Sequence, residues 1–385
     1  MRLIQLELRK ICSQKVIYIA FAVFIMLYGF HFFESIGYGR ELQALKAAYD
    51  QYGGELTEEK AAWADHIWAR YQQESEKLEQ TEPIDPSLQA QSRVALDIRN
   101  VIQRQDINRQ QLQWLEEQSQ EIESSGGAAE YKQRELLREF EIREVVGSPS
   151  FIMNQEGWRS ILRYMNEVGY YFAAALTILG LSNLFSGEYA SRMDSLIFSS
   201  RHGRRKIVYA KIAASAIYCA AVVILFSSIV FMLNGYFYGW AGWNADLVNL
   251  YSLYADTGFD GSIGLFYLQQ QLYAIAGCIT LGLFVMLISS LSRYPIIPAF
   301  IGGVVFMLPV VVMFVQIPSE QVTLLVLKLF RYMEFIQLEQ LDASLFTNVL
   351  GIPVLYSRSI LFMMAGFISA AGLLLMFSVR RRQVK

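Results

Sequence analysis

Apolar residues along this chain gather in six long runs, and the stretches between them are polar. A helix needs about 20 apolar residues to cross a bilayer. The runs therefore predict six spanning helices, at 16–37, 166–187, 208–238, 273–292, 295–316 and 358–380. Their cores are nearly free of ionisable side chains, and spans three to six carry only mild polar groups such as Ser227, Ser228, Asn234 and Thr280. Arg2, Arg9 and Lys10 precede the first run as they would in a secretory signal, but Gly29 to Glu34 lacks the small residues of a cleavage site. The first run is expected to be a retained anchor.

The longest polar stretch, 38–165, has a different period. Trp63, Ile67, Tyr71 and Leu78 recur at helical spacing. So do Val94, Ile98 and Val101, continued by Leu112, Leu115 and Ile122, and then Leu136, Leu137 and Phe140. Narrow apolar stripes on long polar helices predict a coiled-coil-like helical domain. Breakers at Gly53–Gly54, Pro83–Pro86 and Gly126–Gly127 divide it, and Gly147–Ser148–Pro149 closes it. Two shorter polar segments remain. Stretch 239–272 reads as a loop. Stretch 317–357 carries Leu324, Leu327, Phe330, Met333 and Ile336 at amphipathic spacing, which predicts helices lying at the membrane interface.

Charge sets the expected orientation. Lys and Arg mark cytoplasmic loops when those loops are short. Residues 1–15 hold Arg2, Arg9, Lys10 and Lys15, and 188–211 hold Arg192, Arg201, Arg204, Arg205, Lys206 and Lys211. Arg293 lies in the link between the fourth and fifth spans, and the 381–385 tail adds Arg381, Arg382 and Lys385. Loop 239–272 has no Lys or Arg. Both ends are therefore expected in the cytoplasm, with 38–165 outside. The fold class is an all-α polytopic membrane protein carrying an extracytoplasmic helical domain, in a bacterial plasma membrane. Charged residues make up 18% of the chain, below the roughly 25% of soluble proteins, and the net charge of −2 gives nucleic acid no purchase.

Candidate chemistry is sparse. Cys12, Cys219 and Cys278 lack the paired spacing of a metal site and are expected to be buried hydrophobes. His31 and Glu34, at i and i+3, are the single pair that suits a lipid-modifying enzyme, and a polar helix end explains them better. The spans lack the midplane carboxylates of ion-coupled transporters.

The most informative stretch runs from Ser186-Gly187-Glu188-Tyr189 through Arg192-Met193-Asp194-Ser195-Leu196-Ile197-Phe198 to Arg201-His202-Gly203-Arg204-Arg205-Lys206, then Lys211. It resembles the first cytoplasmic loop of ABC-2 type transporter permeases, in which an acidic residue is followed by a short helix, an Arg-containing turn and a Lys opening the third span. Residues 1–15, with Leu3, Ile4, Leu6, Leu8 and Ile11 among charges, resemble that family's amphipathic elbow helix. The resemblance covers about 1–37 and 166–385, and the insertion at 38–165 departs from the minimal pattern.

The resemblance implies a permease subunit without an ATPase of its own. In keeping with it, the chain lacks the Gly-x-x-x-x-Gly-Lys-Ser/Thr phosphate loop, so it would hold no cofactor, and ATP and Mg would be bound by a partner ABC ATP-binding subunit. It further implies a second permease subunit, and a coupling helix at 188–207. There Met193, Leu196, Ile197 and Phe198 would fill a groove on the ATPase, while Glu188, Arg192 and Asp194 orient it. The family's substrate path would place Thr177, Asn183, Pro298 and Pro309 along the lining, which suits export of a lipid, a hydrophobic drug or an antimicrobial peptide. An alternative expectation is an ATPase-coupled sensor or mechanotransmitter, whose domain at 38–165 binds a peptide or envelope component without transport.

Overall fold

A computed structural model describes residues 2–35, 39–77, 84–125, 130–164, 169–193, 203–314 and 343–381. The protein is mostly helical. Helix α1 (Arg2–Cys12) lies against the bundle through Ile4, Leu8 and the buried Ile11, and leaves Leu3 and Leu6 exposed. It stops at Ser13, whose hydroxyl donates to the Lys10 carbonyl. Gln14 then donates to the Gly180 carbonyl at 3.0 Å, which fixes the corner before α2 (Lys15–Ser35).

Among the described residues, four helices are long and apolar enough to cross a membrane: α2, α10 (Gly203–Tyr238), α12 (Ile263–Leu291) and α14 (Tyr356–Arg381). The apolar α13 (Ile296–Phe314) packs beside α12. The second predicted span divides at Ser182 into α8 (Tyr170–Leu181) and α9 (Asn183–Ala190). Helix α12 is the hub, touching α8, α9, α10, α13 and α14. Its small residues let neighbours approach closely. A side chain at Gly282 would strike Leu181, as one at Gly180 would strike Tyr218 of α10. In contrast, α2 exposes Ile19, Met26 and Phe30, and α14 exposes Phe362, Leu373 and Phe377. An apolar face without protein neighbours matches lipid, where exposure of Leu or Phe carries no penalty.

The polar insertion folds as a separate unit with its own core. It contains α3 (Gly39–Tyr52), α4 (Glu58–Lys77), α5 (Pro86–Ser125) and α6 (Glu130–Val146). Helix α5 has 40 residues and is about 60 Å long. Its first half packs on α3 and α4 through Val94, Ile98 and Val101, all fully or almost fully buried against Leu45, Ala64 and Ile67. Its second half meets α6. Leu115 and Leu136 are buried, whereas Leu137, one residue on, is exposed. Trp63 stacks on Tyr52 at 3.9 Å. Leu78 and the side chain of Ile122 lie outside the described residues.

Strands β1 (Gly54–Glu55) and β2 (Phe151–Ile152) pair antiparallel and close the neck of this unit. Gly54 has φ +99°, which a side-chain-bearing residue rarely adopts. Helix α7 (Gln155–Tyr164) leads back towards the bundle. The 239–262 loop grips the neck from the other side. Asn249 Oδ1 accepts from the backbone of Ser150 and Phe151, each at 2.8 Å. Trp158 donates to the Ala241 carbonyl at 2.7 Å, and the buried Arg143 reaches both Glu139 and Asp256.

Within the stretch expected as interfacial helices, Phe346–Val349 and Ile352–Leu355 form a β-hairpin, β3–β4. Its turn places Leu350 at φ +54° and Gly351 at φ +86°. The amphipathic residues Leu324 to Ile336 lie outside the described residues.

Candidate functional site: a buried charge cluster

The site begins with a helix junction. Ser182 keeps helical torsions (φ −57°, ψ −34°), and the chain passes from α8 into α9. The Ser289 hydroxyl of α12 lies across this junction. It donates to the Ser182 carbonyl at 2.7 Å and accepts from the backbone N–H of Phe185 and Ser186 at 3.2 and 3.0 Å. Ser186 Oγ donates to the same carbonyl at 2.8 Å. Backbone groups buried away from water need partners, and two serines supply them here.

Helix α9 turns Glu188 inwards, where it is almost completely buried. Lys211 of α10 is fully buried opposite it. The ammonium has three donors, and each is used. Nζ lies 2.7 Å from Glu188 Oε1, 3.0 Å from Glu7 Oε2 and 2.8 Å from the Leu184 carbonyl. It also stands 4.9 Å above the Phe185 ring, a cation–π distance. Lys10, half exposed on α1, makes a second ion pair with Glu188. Two ammonium and two carboxylate groups thus neutralise one another at the meeting point of α1, α9 and α10.

Such a cluster adds little net stability over a well-packed apolar core, because desolvation offsets the attraction. Its value lies in geometry. Each contact demands one placement of three helices, so a displacement of α9 is resisted by both α1 and α10. Among the described residues no group of three or more His, Cys, Asp or Glu is placed to hold a metal.

Helix α9 ends in a Schellman arrangement. Met193 N–H donates to the Glu188 carbonyl at 3.0 Å and Arg192 N–H to the Tyr189 carbonyl at 3.2 Å. Arg192 occupies the left-handed position, φ +57°, normally given to glycine. It and Met193 are exposed as the chain leaves the helix. The other proposed groove-filling and orienting residues, Asp194, Leu196, Ile197 and Phe198, lie outside the described residues.

The remaining sequence-derived residues are scattered. Thr177 is fully buried, with its hydroxyl 3.9 Å from the Cys219 thiol. Asn183 is exposed at the start of α9. Pro298 is buried in the first turn of α13, and Pro309 lies further along the same helix, its side chain outside the described residues. His31 is exposed, and the Glu34 side chain lies outside the described residues. A cavity of about 730 Å³ lies at the opposite end of the bundle, bounded by Arg138, Phe259, Tyr273, Arg358 and Leu361. Thr177, Asn183 and Pro298 do not line it.

Sequence reasoning singled out Glu188 but missed its partners as a set. Two signals were available. Glu7 occupies the apolar side of α1 with Ile4, Leu8 and Ile11, where a carboxylate is out of place. Lys211 stands beyond the Arg204–Lys206 opening of α10, at the start of its apolar run, where an ionisable group implies a partner. No protein-family model matches the chain, and no curated protein is similar enough to it to be counted a relative.

Proposed function

We propose that this chain is the membrane-spanning permease subunit of an ABC-2 type ATP-driven exporter, moving a hydrophobic or amphipathic substrate. Six crossings, both ends in the cytoplasm and the polar domain outside complete the reading. The observation that supports it best is the charge cluster. It ties an amphipathic N-terminal helix, the short helix leading into the basic loop and the start of a long apolar helix into one mechanical unit.

In this reading the ATPase pushes on the loop after Met193. The push passes through Glu188 to Lys211 and Glu7, and the 36-residue α10 carries it about 54 Å to the polar domain. ATP and Mg act in the partner, and this chain contributes positioning alone. The test is co-purification in mild detergent with an ATP-binding subunit. Replacing Met193, Leu196 and Phe198 together by Asp is expected to abolish that complex. Survival of the complex sinks the coupling assignment.

A second reading, a sensor or mechanotransmitter, is favoured by the grip of the 239–262 loop on the polar domain through Asn249 and Asp256. It expects deletion of residues 40–160 to abolish the response while ATPase binding persists. Substrate movement that survives the deletion counts against it.

A further inference from the structure

Besides its contacts through Asn249 and Asp256, the loop joining α10 to α12 meets the helical domain at a half-buried carboxylate. Asp97 lies on α5 among Leu45, Val94, Ile98 and Val101 of the domain core. One of its oxygens accepts from the Tyr251 hydroxyl at 2.6 Å, and the other accepts from the Tyr49 hydroxyl. Tyr49 belongs to α3. Tyr251 opens α11 (Tyr251–Tyr254), a single turn in the middle of the loop, and is buried in the same core. Asn100 donates to the Tyr251 hydroxyl at 3.4 Å. One carboxylate therefore joins two helices of the polar domain to the loop between two bundle helices.

No cation touches Asp97 among the described residues. From α7, Arg159 and Glu156 act on it at longer range with opposite signs. From α4, Asp65 is engaged on the exposed side with Arg99 of α5 at 2.6 Å. A carboxylate drawn largely out of water is held ionised by a counter-charge or strong donors. Here it has two phenols.

We infer that Asp97 is a proton-operated latch, in which gain or loss of one proton sets how tightly the 247–254 loop docks on the helical domain. In the ionised form both phenols donate to the carboxylate, but a half-buried negative charge stays without a cation in contact. In the neutral form that cost disappears. The carboxyl O–H then donates to one phenol oxygen, and its other oxygen still accepts from the second phenol. Burial, the largest influence, pushes the Asp97 carboxyl above the usual carboxylate range, the hydrogen bonds from Tyr251 and Tyr49 oppose it, and Glu156 adds a small upward push. Docking is consequently tighter when the proton is bound, and it loosens as pH rises through the raised value.

The loop continues into α12, whose far end supplies Ser289, and begins from α10, which carries Lys211. The state of the latch thus bears on α10, which carries Lys211 of the charge cluster, and on α12, which supports the Ser182 junction beside it. This inference rests on the Asp97 geometry and not on the exporter reading.

The test is hydrogen exchange on the full chain in detergent, following amides 246–254 and 94–101 across pH. Wild type is compared with Asp97→Asn at each pH, so the intrinsic pH dependence of exchange cancels. Equal protection is expected in acid. The wild type should then lose protection relative to the variant by up to about tenfold per pH unit until the raised value is passed. A ratio that stays flat with pH overturns the latch. Should Asp97→Asn not fold, Tyr251→Phe supplies the second arm. It removes a donor that favours the ionised form, so the midpoint of the loosening must move to higher pH, and an unmoved midpoint also overturns the latch.

Discussion

Glu188 is a buried carboxylate and Asp97 a half-buried one, and their surroundings answer the cost of desolvation in opposite ways. Glu188 meets two ammonium groups, Lys211 and Lys10. Asp97 meets two phenols. Counter-charges in contact neutralise the first site, provided each partner stays in place. Phenol dipoles offset only part of the cost of burying a charge, so the second site answers to protons instead. The first arrangement suits a rigid tie at the end where force is expected to enter. The second suits an adjustable joint where the polar domain meets the bundle.

The largest effect is expected from breaking the first site. Lys211→Met leaves Glu7 without its ammonium and Glu188 with Lys10 alone. Loss of about 3–5 kcal/mol follows from stranding buried charge. Thermal unfolding in detergent should show a large drop in Tm, partly recovered by adding Glu7→Gln and Glu188→Gln. An unchanged Tm means the cluster is not formed. Next in size is Ser289→Ala, which strands the N–H groups of Phe185 and Ser186 beside the cluster. A cost of about 1–3 kcal/mol is expected, read by the same melt. Ser289→Thr, which keeps the hydroxyl, should recover most of it.

The pH arm sharpens the contrast. The docked form holds the Asp97 proton more tightly than a solvated carboxylate does. Between the two pKa values only the docked state is protonated, so docking stability falls as pH rises, by up to about 1.4 kcal/mol per pH unit. Above the raised value it levels off. Asp97→Asn should flatten the dependence, and a variant that still tracks pH assigns the proton to another group. The smallest effect is a gain. Arg192→Gly removes left-handed strain from the end of α9 and should stabilise by about 1 kcal/mol. A neutral or negative shift in Tm means the Arg192 side chain contributes more than its backbone costs.

Much of the local architecture was legible in the residues. Apolar runs and helical stripes depend on periodicities of three to four residues, so Val94, Ile98 and Val101 declared their buried face without any knowledge of the fold. Two features escaped for local reasons. The Ser182 junction is hidden because serine is unremarkable within an apolar run, and its support comes from Ser289 on another helix. The 346–355 hairpin follows an amphipathic stretch, and its turn depends on Leu350 adopting φ +54°, which leucine does not advertise.

The sequence by itself determined the helical class, the separation into apolar helices and a polar helical unit, and the amphipathic character of α1. Each follows from hydrophobicity summed over neighbours in the chain. Only the tertiary structure decided which charges face each other. Glu7 and Lys211 are separated by 204 positions, and Asp97 and Tyr251 by 154. Charge pairing acts across space with no periodic signature along the chain. It becomes defined only when packing brings α1, α9 and α10 together and seats the 247–254 loop on the core of the polar domain.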